Sequence, residues 1–232
     1  MAILSRGLRS GLIARAYRKV LHGFYANDLA IDLRLHAKRE AVAYVVEHMQ
    51  DAVMRRDRFD LLRFALSRAP EDGLVVEFGV EKGASITCLA TATRRTVHGF
   101  DSFRGLPEDW TGTAETSGAF DLGAKPPKVS GNVTLHVGWF DDTLPGFLAG
   151  TDDRAALIHV DCDIHSSTAT VLSHLAPRIA PGTVIVFDEY FNYFGWRRHE
   201  YRAFQEFIAA SGLSYRYLAF SAEKGHVAVI IK

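Results

Sequence analysis

The sequence predicts an α/β protein built on a mostly parallel sheet with helices on both faces. Three observations carry this. From Gly73 onward, short apolar runs alternate with segments of helical periodicity: GLVVEF, SITCLATA, TVHGF, NVTLHV, AALIHV, SSTATVLSHLAPRI and TVIVF. The runs are short and apolar, as in strands covered on both sides. Acidic residues recur at their ends (Glu77, Asp101, Asp161 and Asp188), and in such a sheet those ends share one rim, where ligands gather.

The elements follow in order. Residues 1–70 read as a helical extension, with apolar residues at helical spacing in LIARAYRKVLHGFY, REAVAYVVEHM and FDLLRFALSRA. Residues 71–232 carry the alternating pattern and form the main domain. A long polar segment rich in Gly, Pro and Thr runs from Asp101 to Ser130, too long for an ordinary connection and suited to a lid or acceptor loop. HEYRAFQEFIAASG is an amphipathic helix stopped by glycine. YRYLAF and HVAVII form an antiparallel carboxy-terminal hairpin around AEKG.

Composition narrows the function. Basic and acidic side chains balance at 27 each, so the chain carries no overall nucleic-acid footprint. Residues 1–70 hold 13 basic and 7 acidic side chains, an excess that suits an acidic partner, a membrane surface or a solvated helix face. Cys88 and Cys162 are too few and too separated for a disulfide framework and read as buried free thiols, hence a cytoplasmic location. No run approaches the ~20 apolar residues of a membrane span. The basic, amphipathic start has no clear cleavage site and is not read as a signal peptide.

The motifs point to a site. VVEFGVEKGAS is a strand ending in an acid, a glycine turn at Gly79 and Gly83, and a helix. Glu81 occupies the middle glycine position of the dinucleotide fingerprint, which disfavours a pyrophosphate, and no G-x-x-x-x-G-K-S loop is present. Asp101, a little over 20 residues further on, is placed to accept two ribose hydroxyls. A nucleoside with an amino-acid tail and no phosphate, such as S-adenosylmethionine, suits both features. Asp161, Asp188 and Glu189 bring three carboxylates together, and a hard divalent cation such as Mg²⁺ relieves their repulsion. Asp163 reads as a helix-start residue or a supporting group; it or Glu189 would otherwise pair with Arg197 or Arg198. His165, a few residues from Asp161, is the candidate base, since imidazole titrates near neutrality; His136, inside a strand, is a weaker one. The aromatic residues Tyr190, Phe191, Tyr193, Phe194 and Trp196 suit either acceptor stacking or core packing.

Together VVEFGVEKGASI, GFDSFRGLPEDW, GWFDDTLP, HVDCDIHSST and PGTVIVFDEYF resemble class I S-adenosylmethionine-dependent methyltransferases, and most of all the macrocin O-methyltransferase group. The resemblance spans roughly residues 73–231. It implies a Rossmann-like methyltransferase sheet and metal-dependent methylation of a hydroxyl on a small molecule, a sugar or other natural-product intermediate. It assigns Glu77, Gly79 and Gly83 to the cofactor loop, Asp101 with Ser102 to the ribose, and Gly138 with Trp139 to the adenine. It assigns Asp161, Asp188 and Glu189 to the metal, where relatives commonly carry Asp-Asp or Asp-Asn in place of Asp-Glu. The lysine base of metal-dependent catechol methyltransferases is replaced here by Ile164, which leaves His165 as the local substitute. The amino-terminal helices are expected to cover the acceptor side or to form a homodimer or higher homo-oligomer. Two rivals are a Rossmann-type nucleotide-dependent oxidoreductase and a catalytically inactive methyltransferase fold acting as an interaction protein.

Overall fold

The computed structural model describes residues 28–232 together with Lys19; most of the segment LIARAYRKVLHGFY lies outside the described residues. The described chain opens with α1 (Leu29–His48), capped by Asp28, whose carboxylate accepts from the Ala30 amide at 3.0 Å. A three-residue strand β1 (Val53–Arg55) precedes α2 (Arg58–Leu66), which Asp57 caps through the Asp60 amide at 2.8 Å. Then come β2 (Leu74–Phe78), α3 (Ala84–Ala92), β3 (Val97–Asp101), β4 (Val133–Val137), α4 (Phe140–Ala149), β5 (Ala155–Val160), α5 (His165–Leu175) and β6 (Val184–Phe187). The chain finishes with α6 (Glu200–Ser211), β7 (Tyr215–Ser221) and β8 (Val227–Ile231).

The eight strands form one sheet in the order β1-β7-β8-β6-β5-β2-β3-β4. All neighbouring pairs are parallel except those involving β8, which runs against both β6 and β7. The mostly parallel sheet and the carboxy-terminal hairpin are those predicted. The edge strand β1 was not, because VMR is too short to show a period and owes its conformation to pairing with β7.

Two apolar layers hold the helices to the sheet. On one face Leu61 and Leu62 of α2 and Ile86 and Leu89 of α3 pack on Val75, Leu157 and Val186. On the other, Tyr44 of α1, Leu144 of α4, Leu172 of α5 and Phe204 of α6 pack on Phe78, Ile158 and Phe187. Because side chains alternate along a strand, Glu77 and His159 fall on the α2/α3 face, among the apolar residues of that layer. Among the described residues no helix is long and apolar enough to cross a membrane.

Candidate active site

The strand ends stay in register beyond the sheet. Asp161 N donates to Phe78 O (2.9 Å), Asp188 N to Val160 O (2.9 Å), Gly79 N to Phe100 O (3.0 Å) and Gly138 N to Asp101 O (3.0 Å). These bonds line up the carboxyl rim. A Cβ on Gly79 would stand 1.7 Å from the Asp161 carbonyl oxygen, so only glycine permits the first loop to pass so close to the acidic one.

That first loop is left-handed at three alternating positions, Gly79 (φ 90°), Glu81 (φ 46°) and Gly83 (φ 81°). Glu81 thus adopts a conformation that favours glycine, at the very position where the dinucleotide fingerprint has one. The loop is pinned by Asp101: its Oδ2 accepts from the Val80 and Glu81 amides (2.8 and 2.9 Å) and its Oδ1 from the Phe103 amide (2.7 Å). Three of the carboxylate's roughly four acceptor sites are committed to shaping the loop, and one remains for a ligand.

Beyond Asp101 the segment to Ser130 folds back on itself, with an isolated bridge between Arg104 and Asp121. Leu106 and Trp110 bury against Ile164, with Ala119 and Tyr193 beside them. The fold-back is tied down where Ser166 Oγ donates to Glu108 (2.6 Å) and His199 Nε2 donates to the Thr111 carbonyl (2.8 Å). It roofs a cavity of about 420 Å³.

Seven of the residues singled out in the sequence line this cavity: Gly79, Asp101, Ser102, Trp139, Asp161, Asp188 and Glu189. Arg58, Glu81, Asp163, Ser167 and Lys224 also reach it. Glu77, Gly83, Gly138 and His165 are not in the lining. Glu77 lies beneath it, Gly83 precedes α3, and Gly138 (φ 149°) precedes Trp139. His165 begins α5 and turns its Nε2 to Glu206 (2.6 Å), which Arg202 also engages (2.7 Å). His136 faces His98 at 3.2 Å, under α4.

Asp163 was expected at a helix start or as a supporting group, and it does not cap the helix. Ile164 caps α5 without a side-chain bond, and Asp163, itself left-handed (φ 65°), is buried in the acidic cluster. Arg197 and Arg198 are occupied elsewhere, over the rings of Trp196 and Phe194. Tyr190, Phe191 and Trp196 are buried in the core, which favours packing for that part of the aromatic cluster; Phe194 is exposed.

The carboxylates form a negative focus. Burial and the charge of Asp188 raise the pKa of Asp161 and of Glu189 far above the usual range, and push Asp163 up to about 7. Glu200 is also raised, by burial and then by Asp163, while one of its oxygens accepts the Glu189 amide (3.0 Å). Asp188 goes the other way. Burial would raise it, but His159 and His226 hold it below the ordinary carboxylate range.

His159 and His226 are residues that the sequence reading missed. His159 is wholly buried, with Nδ1 2.9 Å from Glu77 Oε2 and Nε2 3.7 Å from Asp188 Oδ1. Burial would lower its pKa, but Asp188 and Glu77 outweigh that and hold it well above neutrality's usual value for imidazole. Glu77 also accepts from Ser85 Oγ of α3 (3.0 Å). His226 Nε2 and Arg58 Nη1 approach Asp188 Oδ2 at 3.4 and 3.5 Å. The available signal was a pair of polar residues, Glu77 and His159, in runs otherwise apolar enough to be buried strands.

The donor set fits a cation. Glu189 Oε2 and His159 Nε2 are buried and have no hydrogen-bond partner. The ligand atoms of Asp161, Asp163 and Glu189 lie within 4.8 Å of one another, as do those of His159, Asp161 and Asp188.

A mostly parallel sheet with an antiparallel last strand, an acid-lined rim and a glycine loop pinned by an aspartate is the arrangement of a class I methyltransferase. Residues 76–190, about half of the chain, match the family described as "Methyltransferase domain". The chain belongs to the class I S-adenosylmethionine-dependent methyltransferases and is related to O-methyltransferases of natural products. It is 31% identical, over 57% of its length and 60% of the relative's, to the 8-demethyl-8-(2,3-dimethoxy-alpha-L-rhamnosyl)-tetracenomycin-C 4'-O-methyltransferase of Streptomyces olivaceus. It is 29% identical to the mycinamicin III 3''-O-methyltransferase of Micromonospora griseorubida, over 57% of this chain and 62% of that one. The chain therefore spans about three fifths of the length of these curated relatives. The calicheamicin methyltransferase CalS11 shares the fold, with a TM-score of 0.57 at 20% identity over 96% of this chain and 94% of that one.

Proposed function

We propose that this chain is an S-adenosylmethionine-dependent O-methyltransferase acting on a hydroxyl of a small molecule, a sugar or other natural-product intermediate, with Mg²⁺ or a similar divalent ion at the acidic rim. The observation that carries this reading is the meeting of the Asp101-pinned glycine loop and the Asp161–Asp188–Glu189 acids in one cavity of about 420 Å³. The names of the curated relatives, which give methylation at oxygen, support it. The division at residue 70, into an amino-terminal extension and a 71–232 methyltransferase domain, belongs to the same reading, with β1 and α2 of the extension joining the sheet and its apolar layer. So do a cytoplasmic location and a homo-oligomer formed through the amino-terminal helices.

In this reading Gly79 and Gly83 let the loop backbone approach the cofactor, and the free acceptor site of Asp101, beside Ser102, takes the ribose. Trp139, held after Gly138, offers its indole to the adenine. Glu77 acts from beneath, bracing the start of α3 through Ser85 and the rim through His159. Asp161, Asp188 and Glu189 would hold the cation, which when bound supplies Lewis acidity that lowers the pKa of the acceptor hydroxyl. The bound sulfonium supplies the methyl group. The chain's remaining tasks are to align the oxygen with that methyl group and to exclude water, which the 102–130 roof does, and to accept one proton. His165, once released from Glu206, or Asp163, already in the lining, takes that proton.

The oxidoreductase rival places a pyrophosphate against the Glu81 carboxylate, which lines the cavity. Calorimetry with S-adenosylmethionine, with and without Mg²⁺, tests the proposal and separates it from an inactive fold. Binding is expected, and a folded sample that fails to bind overturns the reading. Asp161→Asn is expected to abolish metal-dependent methylation while leaving cofactor affinity within a few-fold; equal loss of both would remove the metal assignment.

A further inference from the structure

We propose that His159 is itself a ligand of the metal: with Asp161 and Asp188 it makes a nitrogen-and-carboxylate site that prefers a borderline ion such as Fe²⁺ or Co²⁺ to Mg²⁺. This rests on the metal-dependent reading above and changes its donor set.

The imidazole is fixed from below. His159 and Glu77 are register partners on β5 and β2, and Nδ1 lies 2.9 Å from Glu77 Oε2, with both side chains wholly buried. An Nδ1–H donated to that carboxylate leaves Nε2 directed at the rim, where it binds a cation on giving up its proton. A carboxylate behind the distal nitrogen is the usual support of a metal-bound histidine, fixing its tautomer and raising its basicity. Nε2 is buried and makes no hydrogen bond.

The rim supplies the other donors. Ligand atoms of His159, Asp161 and Asp188 all lie within 4.8 Å of one another. Asp188 divides its oxygens: Oδ2 faces His226 and Arg58, at 3.4 and 3.5 Å, while Oδ1 faces Nε2 at 3.7 Å. That spacing is too long for a good hydrogen bond. It suits two donors on one ion, because ligands each about 2.1 Å from a first-row metal stand roughly 3–4 Å apart. A simple buried ion pair would instead bring Nε2–H to hydrogen-bonding distance of Oδ1. Mg²⁺ takes oxygen donors, whereas imidazole suits later first-row ions, so the nitrogen sets the preference.

Mn²⁺ is the probe of the nitrogen and Co²⁺ of the preference. The metal-free full chain, given less than one equivalent of Mn²⁺, is expected to show imidazole-nitrogen modulation in pulsed EPR, and to bind Co²⁺ at least about tenfold more tightly than Mg²⁺. His159→Gln should remove the nitrogen signal; His165→Gln and His226→Gln should keep it. Glu77→Gln should weaken Mn²⁺ by about 10–100-fold with the signal retained. Mn²⁺ bound without a nitrogen signal overturns this inference and leaves the metal-dependent reading standing, as does a signal that survives in folded His159→Gln. If His159→Gln does not fold, loss of the signal in either His165→Gln or His226→Gln overturns the inference, and its retention in both supports it. A chain that binds S-adenosylmethionine but no Mn²⁺ overturns both.

Discussion

Glu77 and His159 face each other across adjacent parallel strands at 2.9 Å, and neither side chain reaches solvent. The pair is a charged plug in an apolar layer between Leu157, Val75 and Val186. Removing one partner strands the other. Glu77→Leu should therefore lower the unfolding free energy by about 3–5 kcal/mol, as measured by urea denaturation. The double variant Glu77→Leu/His159→Leu should lose less than the two single losses added together, because no buried charge is then left alone. Additive losses would mean that the two groups do not act as a pair.

Asp101 is expected to matter more for shape than for its single contact with a ribose. Asp101→Ala frees three backbone amides of the loop at once. Affinity for S-adenosylmethionine should fall by about 100-fold, given roughly 1.5–3 kcal/mol for a charge-assisted bond to the ligand and further loss from the loosened loop. Asp101→Asn keeps an acceptor oxygen and should lose less. Calorimetry on both variants checks the order.

The proton acceptor can be identified by a paired substitution. Asp163 lines the cavity, and His165 is engaged by Glu206. Asp163→Asn should reduce kcat by about 100-fold or more, the usual worth of a general base, while His165→Gln should cost less than about tenfold. The reverse order would assign the proton to His165 and require its release from Glu206 during turnover.

His98 and His136 make the fold sensitive to mild acid. Burial lowers the pKa of both rings, and each lies near the other at 3.2 Å. A histidine with a depressed folded pKa binds fewer protons folded than unfolded, so its contribution is complete above the ordinary imidazole value of about 6.5. It is lost as pH falls through the depressed values. The urea midpoint should drop between about pH 7.5 and about pH 5.5, and drop less in His98→Leu/His136→Leu. An equal drop in both proteins would place the sensitivity elsewhere.

The rim was legible because the chain writes it in a strong code: an apolar run, an acid, then glycine or a helix start. Asp101, Asp161 and Asp188 were placed on the rim from that code alone, whereas Glu77, placed with them, lies beneath it. What escaped was whatever depends on neighbours far away in sequence. His159 reads as one polar letter in AALIHV, and its meaning comes only from Glu77 alongside and Asp188 across the next strand. Arg58 reaches Asp188 from α2 and His226 from just before β8, and no local pattern links them. Asp163 reads as a helix-start residue or a supporting group; Ser166 and Ser167 favour the first, but its backbone is left-handed and it lies buried among the acids. β1 was missed for the same reason as His159, since its three residues become a strand only beside Ala219, Phe220 and Ser221.

That last pairing has a consequence for how the protein is made. Val53 is made long before its partner Ala219, so this edge of the sheet stays open until β7 has been made. The rim acids end or follow β3, β5 and β6 and are made before then, but His226, next to β8, comes to Asp188 only as β8 enters between β6 and β7. Long-range closure of this kind is slow and comes late. A nascent chain halted before His226 would present Asp188 without that imidazole, so the strand that follows it completes the surroundings of the acid.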